Sequence, residues 1–266
     1  TFLSGVFDTR KFGDLMKKSL VLIVTAMLML TLFGCSDNNK SEISGVVDAP
    51  EKISTLDEAK INENPNIRKK SENVNGMCYA ITLEEFTHNY NEMLKEAGNL
   101  DMINPKGWKM LGSPQKDANG TEYQYYYYDA DKINLTASVE TKTNYIINIG
   151  LGTTMSNFVS IENEKNNSDA ILMKSAVMAV AVSGMGIDEV DTIQDIFYRT
   201  TFENTNELWY NGNVYALSMN EDKANSERST MLFRTFPISE EVKENWGIDE
   251  YESYVANATQ ITTNAN

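Results

Sequence analysis

The stretch TEYQYYYYDADKINLTASVE, residues 121–140, determines how this chain is expected to fold. Two runs rich in aromatic and β-branched residues, 121–129 and 132–141, flank a short Asp-Ala turn, and a third run follows at 144–151. Within the second run apolar and polar residues alternate, which is typical of a strand with one buried and one solvated face. The stretch therefore predicts a three-stranded antiparallel meander.

Helices are expected before and after this meander in the chain. Residues 82–97 carry apolar side chains at helical spacing and begin with a capping box, in which Thr82 and Glu85 satisfy each other's backbone N–H groups. Residues 168–183 are apolar on nearly every side, which indicates a central helix, and 188–198 has the pattern of an amphipathic helix.

A second group of strands follows these helices. The Asn211-Gly212 pair suits a type I′ turn and predicts a hairpin between residues 208–210 and 214–219. Another strand is expected at 231–236, and short helices are expected within 237–255. The fold class is therefore α+β: a two-layer domain of antiparallel sheet in meanders with helices packed on one face. The two helix-plus-meander halves suggest a pseudo-repeat, although they share no residue-level motif.

Composition divides the chain into segments. Residues 35–77 are rich in Asn, Ser, Glu, Lys and Asp and poor in aromatic residues, so we expect a disordered tether. Residues 78–257 are long enough for a single α+β ectodomain. The polar Thr/Asn-rich segment 258–266 is expected to be a disordered tail.

A short hydrophobic segment precedes the tether. Two lysines follow Met16, an almost uninterrupted apolar run covers residues 20–33, and Gly34 and Cys35 follow it. An apolar run of about 14 residues is shorter than the roughly 20 that a membrane-spanning helix needs. Positive charge, a short apolar region and a small residue in this order are typical of a cleaved export signal.

Residues 16–35 resemble the lipobox-type signal peptide of bacterial lipoproteins. The resemblance implies that residues 16–34 are a signal peptide, that cleavage separates Gly34 from Cys35, and that the Cys35 thiol carries a lipid. Two or three acyl chains anchor a protein stably. The expected location is the extracytoplasmic face of a bacterial membrane, the outer one being an option in a cell with two membranes. Residues 1–15 precede Met16 without a motif, and we interpret them as an untranslated leader or spurious extension.

The net charge of −15 limits the partners of this protein. Such a charge repels the phosphates of nucleic acids, so no nucleic-acid partner is expected. We expect the protein to attach to the membrane through the lipid on Cys35 rather than through electrostatic attraction to lipid headgroups.

The sequence offers few residues for catalysis. Cys78 and the single histidine, His88, would be the only conventional nucleophile and base, but Cys78 is more typical of a small buried residue and His88 is expected to face solvent. Asp188, Asp191 and Asp195 lie on one helix face and could approach a cation, although a solvated acidic face explains them better. No phosphate loop, metal motif or nucleophile elbow is present, so no catalytic residue, metal or cofactor is predicted.

The tyrosine cluster is the one candidate binding surface. Alternation along a strand sends Tyr126 and Tyr128 to one face and the other tyrosines of the cluster to the opposite face. We expect Tyr126 and Tyr128 to form an exposed surface for a protein, peptide or envelope glycan. The predicted function is a non-catalytic binding lipoprotein, and the alternative is a carboxylate-dependent envelope enzyme that acts on cell-wall glycan.

Overall fold

A computed structural model describes residues 68–264, with gaps at 99–100, 131, 160, 163–164 and 204. The predicted leader, the signal peptide with Gly34 and Cys35, and most of the predicted tether lie outside the described residues. The two terminal residues, 265–266, also lie outside them.

One seven-stranded antiparallel sheet forms the centre of the domain. Its strands, in chain order, are β3 (Lys109–Lys116), β4 (Glu122–Ala130), β5 (Ile133–Glu140), β6 (Ile146–Thr154), β9 (Glu207–Tyr210), β10 (Asn213–Asn220) and β11 (Thr230–Pro237). Their spatial order is β3-β4-β5-β6-β11-β10-β9. The two predicted meanders therefore join through the β6–β11 pair into a single sheet. This strand order, in which the last strand of each half lies at the centre, is what a helix-plus-meander repeat would produce.

Three longer helices cover one face of this sheet, which we call the inner face. They are α1 (Leu83–Glu96), α3 (Ser168–Ser183) and α4 (Val190–Phe202), with the short α2 (Met155–Val159) beside them. The predicted capping box is present, since the Glu85 carboxylate accepts a bond from the Thr82 N–H at 2.7 Å. Most of α3 is buried, as its uniform apolarity requires. The α+β fold with an antiparallel sheet and packed helices is confirmed.

The remaining helices and strands lie around this core. A hairpin is formed by β1 (Arg68–Lys70) and β2 (Met77–Tyr79), and the two-residue strands β7 (Ile161–Glu162) and β8 (Lys165–Asn166) pair with each other. The chain then continues through α5 (Glu240–Trp246) and α6 (Tyr251–Asn264).

Two predicted boundaries are wrong in the described region. The tether is predicted to include residues 68–77, but residues 68–70 form β1, and β1 pairs with β2. Residues 258–264 were assigned to a disordered tail, but they form the second half of α6. This helix is held against α4 because the Tyr254 hydroxyl donates to Glu203 at 3.1 Å and the Tyr251 hydroxyl donates to Asp195.

The opposite face of the sheet, the outer face, is covered at one end. There Val242 of α5 packs on a small cluster of Val214, Ala216, Ile238 and Ile248, with Trp209 and Phe236 at its margin. Lys243 places its ammonium 3.9 Å from the centre of the Trp209 ring. The strands β3 to β6 extend beyond α5, and their outer side carries the candidate site.

Candidate binding surface

The pairing of β4 with β5 determines which tyrosines face inward. Tyr126 lies opposite Ala137 and Tyr128 lies opposite Leu135, and both partners are buried beneath the helices. Tyr126 and Tyr128 therefore lie on the inner face. The other three tyrosines of the cluster lie on the outer face: Tyr123, Tyr125 and Tyr127.

Tyr128 has a structural role in the inner layer. Its ring meets Trp108 with 5.9 Å between centroids, and Trp108 in turn packs on Phe86 of α1. The Tyr128 hydroxyl accepts a bond from the Asn104 backbone N–H at 2.9 Å. A Cβ at Gly107 would lie 2.2 Å from the Tyr128 ring, so only glycine allows the chain to pass this closely. The Tyr128 side chain therefore makes contacts within the domain.

Tyr126 is half-buried on the same face. Partial burial of its phenol raises its pKa above the usual value, because the phenolate would lose hydration. Tyr126 and Tyr128 therefore both lie on the face that the helices cover. The better candidates for a binding surface are the tyrosines on the outer face.

The outward tyrosines form a row along β4. The rings of Tyr123 and Tyr125 meet edge to face at 5.1 Å. The Lys109 ammonium lies 5.6 Å from the Tyr127 ring, which places a positive charge at one end of the strip. Leu111 lies opposite Tyr125 and is 57 % exposed. We call Lys109, Leu111 and these three tyrosines the tyrosine strip.

A row of small residues separates the tyrosine strip from β11. Tyr127 lies beside Thr136, Thr136 beside Gly150, and Gly150 beside Arg234. A Cβ at Gly150 would lie 3.2 Å from Cγ of Arg234 and 2.8 Å from a methyl group of Leu232. Both side chains therefore lean over β6, and glycine provides the room for them.

Arg234 has an unusual environment within this row. Its Nε atom is buried without a hydrogen-bond partner, and no ion pair joins the guanidinium to a carboxylate of the described chain. Burial lowers the pKa of Arg234, and the charge of Glu207, two strands away, offsets only part of this effect. Ser138, on the same face, is 2 % exposed and its hydroxyl also lacks a partner. Two buried polar atoms on one side of the sheet, Arg234 Nε and Ser138 Oγ, thus lack a hydrogen-bond partner among the described residues.

The loop between β1 and β2 borders this surface. The Val74 N–H donates to Asp117 in the turn before β4 at 2.9 Å. At its other end the Asn75 carbonyl accepts a bond from the Ser239 N–H, just before α5, at 3.2 Å. The loop therefore connects the turn beside the tyrosine strip with the helix that covers the other end of the outer face.

Both edges of the sheet are protected against pairing with another strand. In β3 the register shifts between Leu111 and Gln115, where Gly112 has a positive φ of 67° and Pro114 lacks an N–H. At this irregularity the side-chain amide of Gln124 donates hydrogen bonds to the carbonyls of Leu111 and Gly112 at 3.1 and 3.2 Å, so these carbonyls are satisfied within the domain. At the other edge Trp209 of β9 bridges to Glu250. A ligand of this domain therefore has the face of the sheet rather than its edges available.

The two residues considered as nucleophile and base lie in different environments. Cys78 is 2 % exposed, and burial raises the pKa of its thiol to about 11, so the reactive thiolate is suppressed at neutral pH. His88 is exposed on α1. No group of three or more His, Cys, Asp or Glu side chains suited to a metal occurs in the part of the chain that the structure describes.

The acidic helix face also has a structural explanation. Asp195 accepts a bond from Arg199 Nε at 2.7 Å and another from the Tyr251 hydroxyl. Burial opposes ionisation of Asp195, but these two hydrogen bonds outweigh it and lower its pKa. Asp195 thereby fastens α6 to α4.

Glu140 and Glu207, two acids of the outer face, do not have the spacing of a glycosidase pair. Glu140 of β5 and Glu207 of β9 are separated by four strand spacings, or about 19 Å. The two catalytic carboxyl groups of a glycosidase are roughly 5–9.5 Å apart. Glu140 is moreover occupied by Ser71, whose hydroxyl donates to it at 3.0 Å. The enzyme alternative therefore stays a prediction without a nominated pair.

No protein-family model, curated protein or solved structure matches this chain. Within residues 68–264, apart from the gaps given above, no helix has the length and apolarity to cross a membrane.

Proposed function

We propose that this chain is a membrane-anchored extracytoplasmic lipoprotein whose domain binds a protein, peptide or envelope component without catalysing a reaction. The observation that carries the binding role is the part of the outer face that no described helix covers, where the tyrosine strip and Arg234 lie on the same side of the sheet, and Arg234 has no hydrogen-bond or ion-pair partner among the described residues. Tyrosine and arginine are the residues most enriched at the energetic centres of protein interfaces. An exposed leucine among them adds apolar area that a partner could bury.

The anchoring role is supported by residues 16–35. Positive charge after Met16, a short apolar run and the Gly34-Cys35 pair are what a lipobox-type signal requires. The anchor would hold the domain at the extracytoplasmic face of a bacterial membrane, and a net charge of −15 disfavours nucleic acid as a partner.

Replacing Cys35 with serine is expected to abolish anchoring. A serine cannot form the lipid thioether, so the protein should stay uncleaved or be released from the membrane fraction. Fractionation and mass spectrometry of the membrane-bound protein measure this. Cys78→Ser is the matched control and should stay lipidated. Membrane-bound, cleaved protein in the Cys35→Ser strain would contradict the anchor.

Binding is tested in the native envelope by site-specific photocrosslinking. A photoreactive phenylalanine replaces Tyr127 on the outer face in one strain and Tyr198 in another. Tyr198 is a suitable control because it is 47 % exposed and lies on α4, on the other side of the sheet. We expect a discrete adduct from position 127. The variant Tyr125→Ala should reduce that adduct at least about tenfold, since truncating an aromatic hot spot costs about 2 kcal/mol or more and about 1.4 kcal/mol corresponds to tenfold in affinity.

A further inference from the structure

Arg234 is the feature of the outer face that the tyrosine strip alone does not explain. A guanidinium carries five N–H donors and is almost always paired where water is partly excluded. In this protein Arg234 has neither an ion pair nor a hydrogen bond to the described residues, although 38 acidic residues are available in the chain. The burial of Arg234 Nε is therefore not offset by a hydrogen bond from any residue that the structure describes.

A row of short side chains connects Arg234 with the tyrosine strip. The Arg234 stem leans over Gly150, and Thr136 is the next residue along the row before Tyr127. Three strand spacings, about 14 Å, separate β11 from β4, and the two strands between them carry small side chains in this row. The unpartnered hydroxyl of Ser138 lies on the same face one row away. Arg234 thus lies at one end of a row of short side chains, and the tyrosine strip lies at the other end.

We propose that Arg234 binds a carboxylate of a polypeptide partner whose neighbouring side chains rest on the tyrosine strip. The proposal rests on the binding function proposed above and specifies the ligand of that surface. Arginine presents two parallel N–H donors to a carboxylate, and such charge-assisted pairs are stronger than neutral hydrogen bonds. The ligand would satisfy the guanidinium that the fold leaves unpaired.

The charges and apolar groups of the surface favour a polypeptide over an acidic polysaccharide. A polymer with many carboxylates would be repelled by a protein of net charge −15, whereas one carboxylate can be accommodated at Arg234. Leu111, which is 57 % exposed, offers apolar contact that suits amino-acid side chains. The partner expected here is a peptide segment with one acidic group among apolar neighbours.

The test uses the full-length lipoprotein in nanodiscs on an array of peptides. Each peptide that contains a single Asp or Glu is paired with its Asn or Gln counterpart, and uronic acid oligosaccharides form a separate arm. We expect wild type to bind a subset of the acidic peptides at least about tenfold more strongly than their amide counterparts. Arg234→Gln should lose that preference. Arg228→Gln, which removes an exposed arginine elsewhere, should keep it.

A stability measurement separates binding from folding. Because no residue that the structure describes pairs with Arg234, Arg234→Gln should leave the midpoint of urea unfolding unchanged or raise it. Equal binding of acidic and amide peptides, binding of the oligosaccharides alone, binding of no probe, or a large fall in the Arg234→Gln midpoint would overturn the carboxylate site. The proposed function fails separately, if position 127 gives no adduct in the envelope.

Discussion

The variant Phe197→Ala is expected to lose about 3–5 kcal/mol of unfolding free energy, the range for a large buried aromatic. Phe197 of α4 is 0 % exposed and lies between the helix layer and the sheet. Its ring meets Tyr215 of β10 at 5.7 Å and Phe233 of β11 at 5.5 Å, both edge to face. Alanine would leave a cavity beneath both strands, because neighbouring elements can relax only partly into it.

Urea denaturation followed by circular dichroism measures this loss, and the next residue provides its control. Tyr198 is also aromatic and also on α4, but it is 47 % exposed and contacts chiefly Phe202. Tyr198→Ala is therefore expected to cost less than about 1 kcal/mol. Similar losses for the two variants would mean that α4 does not pack on the sheet as described.

The variant Tyr128→Ala is expected to cost about 2–3 kcal/mol, somewhat less than a fully buried aromatic because Tyr128 is half-buried. The substitution removes the contact with Trp108, vacates the space beneath Gly107 and leaves the Asn104 N–H without its acceptor. Thermal and urea unfolding measure the loss.

Tyr127, the adjacent residue, should behave differently. Its ring lies on the outer face beside Lys109, so Tyr127→Ala is expected to change the unfolding free energy by less than about 1 kcal/mol. If Tyr127→Ala proved as damaging as Tyr128→Ala, the assignment of the two tyrosines to opposite faces would be wrong.

Local signals predicted most of the elements correctly. The capping box marked the start of α1, and the predicted limits of α3, residues 168–183, agree with the helix observed. The Asn211-Gly212 pair adopts positive φ angles of 46° and 74°, as its turn type requires. These features depend on neighbouring residues alone, which is why the sequence reveals them.

Elements that depend on distant partners were missed. β3 contains Gly112 and Pro114 and is exposed throughout, so its sequence is typical of a loop, and it is a strand only because β4 supplies hydrogen bonds. The Thr/Asn-rich end of α6 has weak helical signals, and α6 is held through hydroxyl bonds from Tyr251 and Tyr254 to α4. Neither partnership is visible in a local pattern.

Only part of the candidate site could be predicted from the sequence. Alternation separated the tyrosines into two sets but did not determine which set the helices cover. The apolar side of β5 contained a usable signal, because the short turn after β4 places Leu135 and Ala137 opposite Tyr128 and Tyr126. Arg234 was missed because the run Met231–Phe236 has the pattern of an ordinary apolar strand. That Arg234 has no hydrogen-bond partner among the described residues becomes evident only when the neighbouring strands are known.

The most direct test of the central claim is the yield of photocrosslinked adducts from position 127 relative to position 198 in the native envelope. If the outer face binds the ligand, position 127 should yield a discrete adduct that mass spectrometry can identify, and position 198 should yield little of it. Adducts of equal yield at both positions, or an adduct at position 198 alone, would contradict the assignment of binding to the outer face.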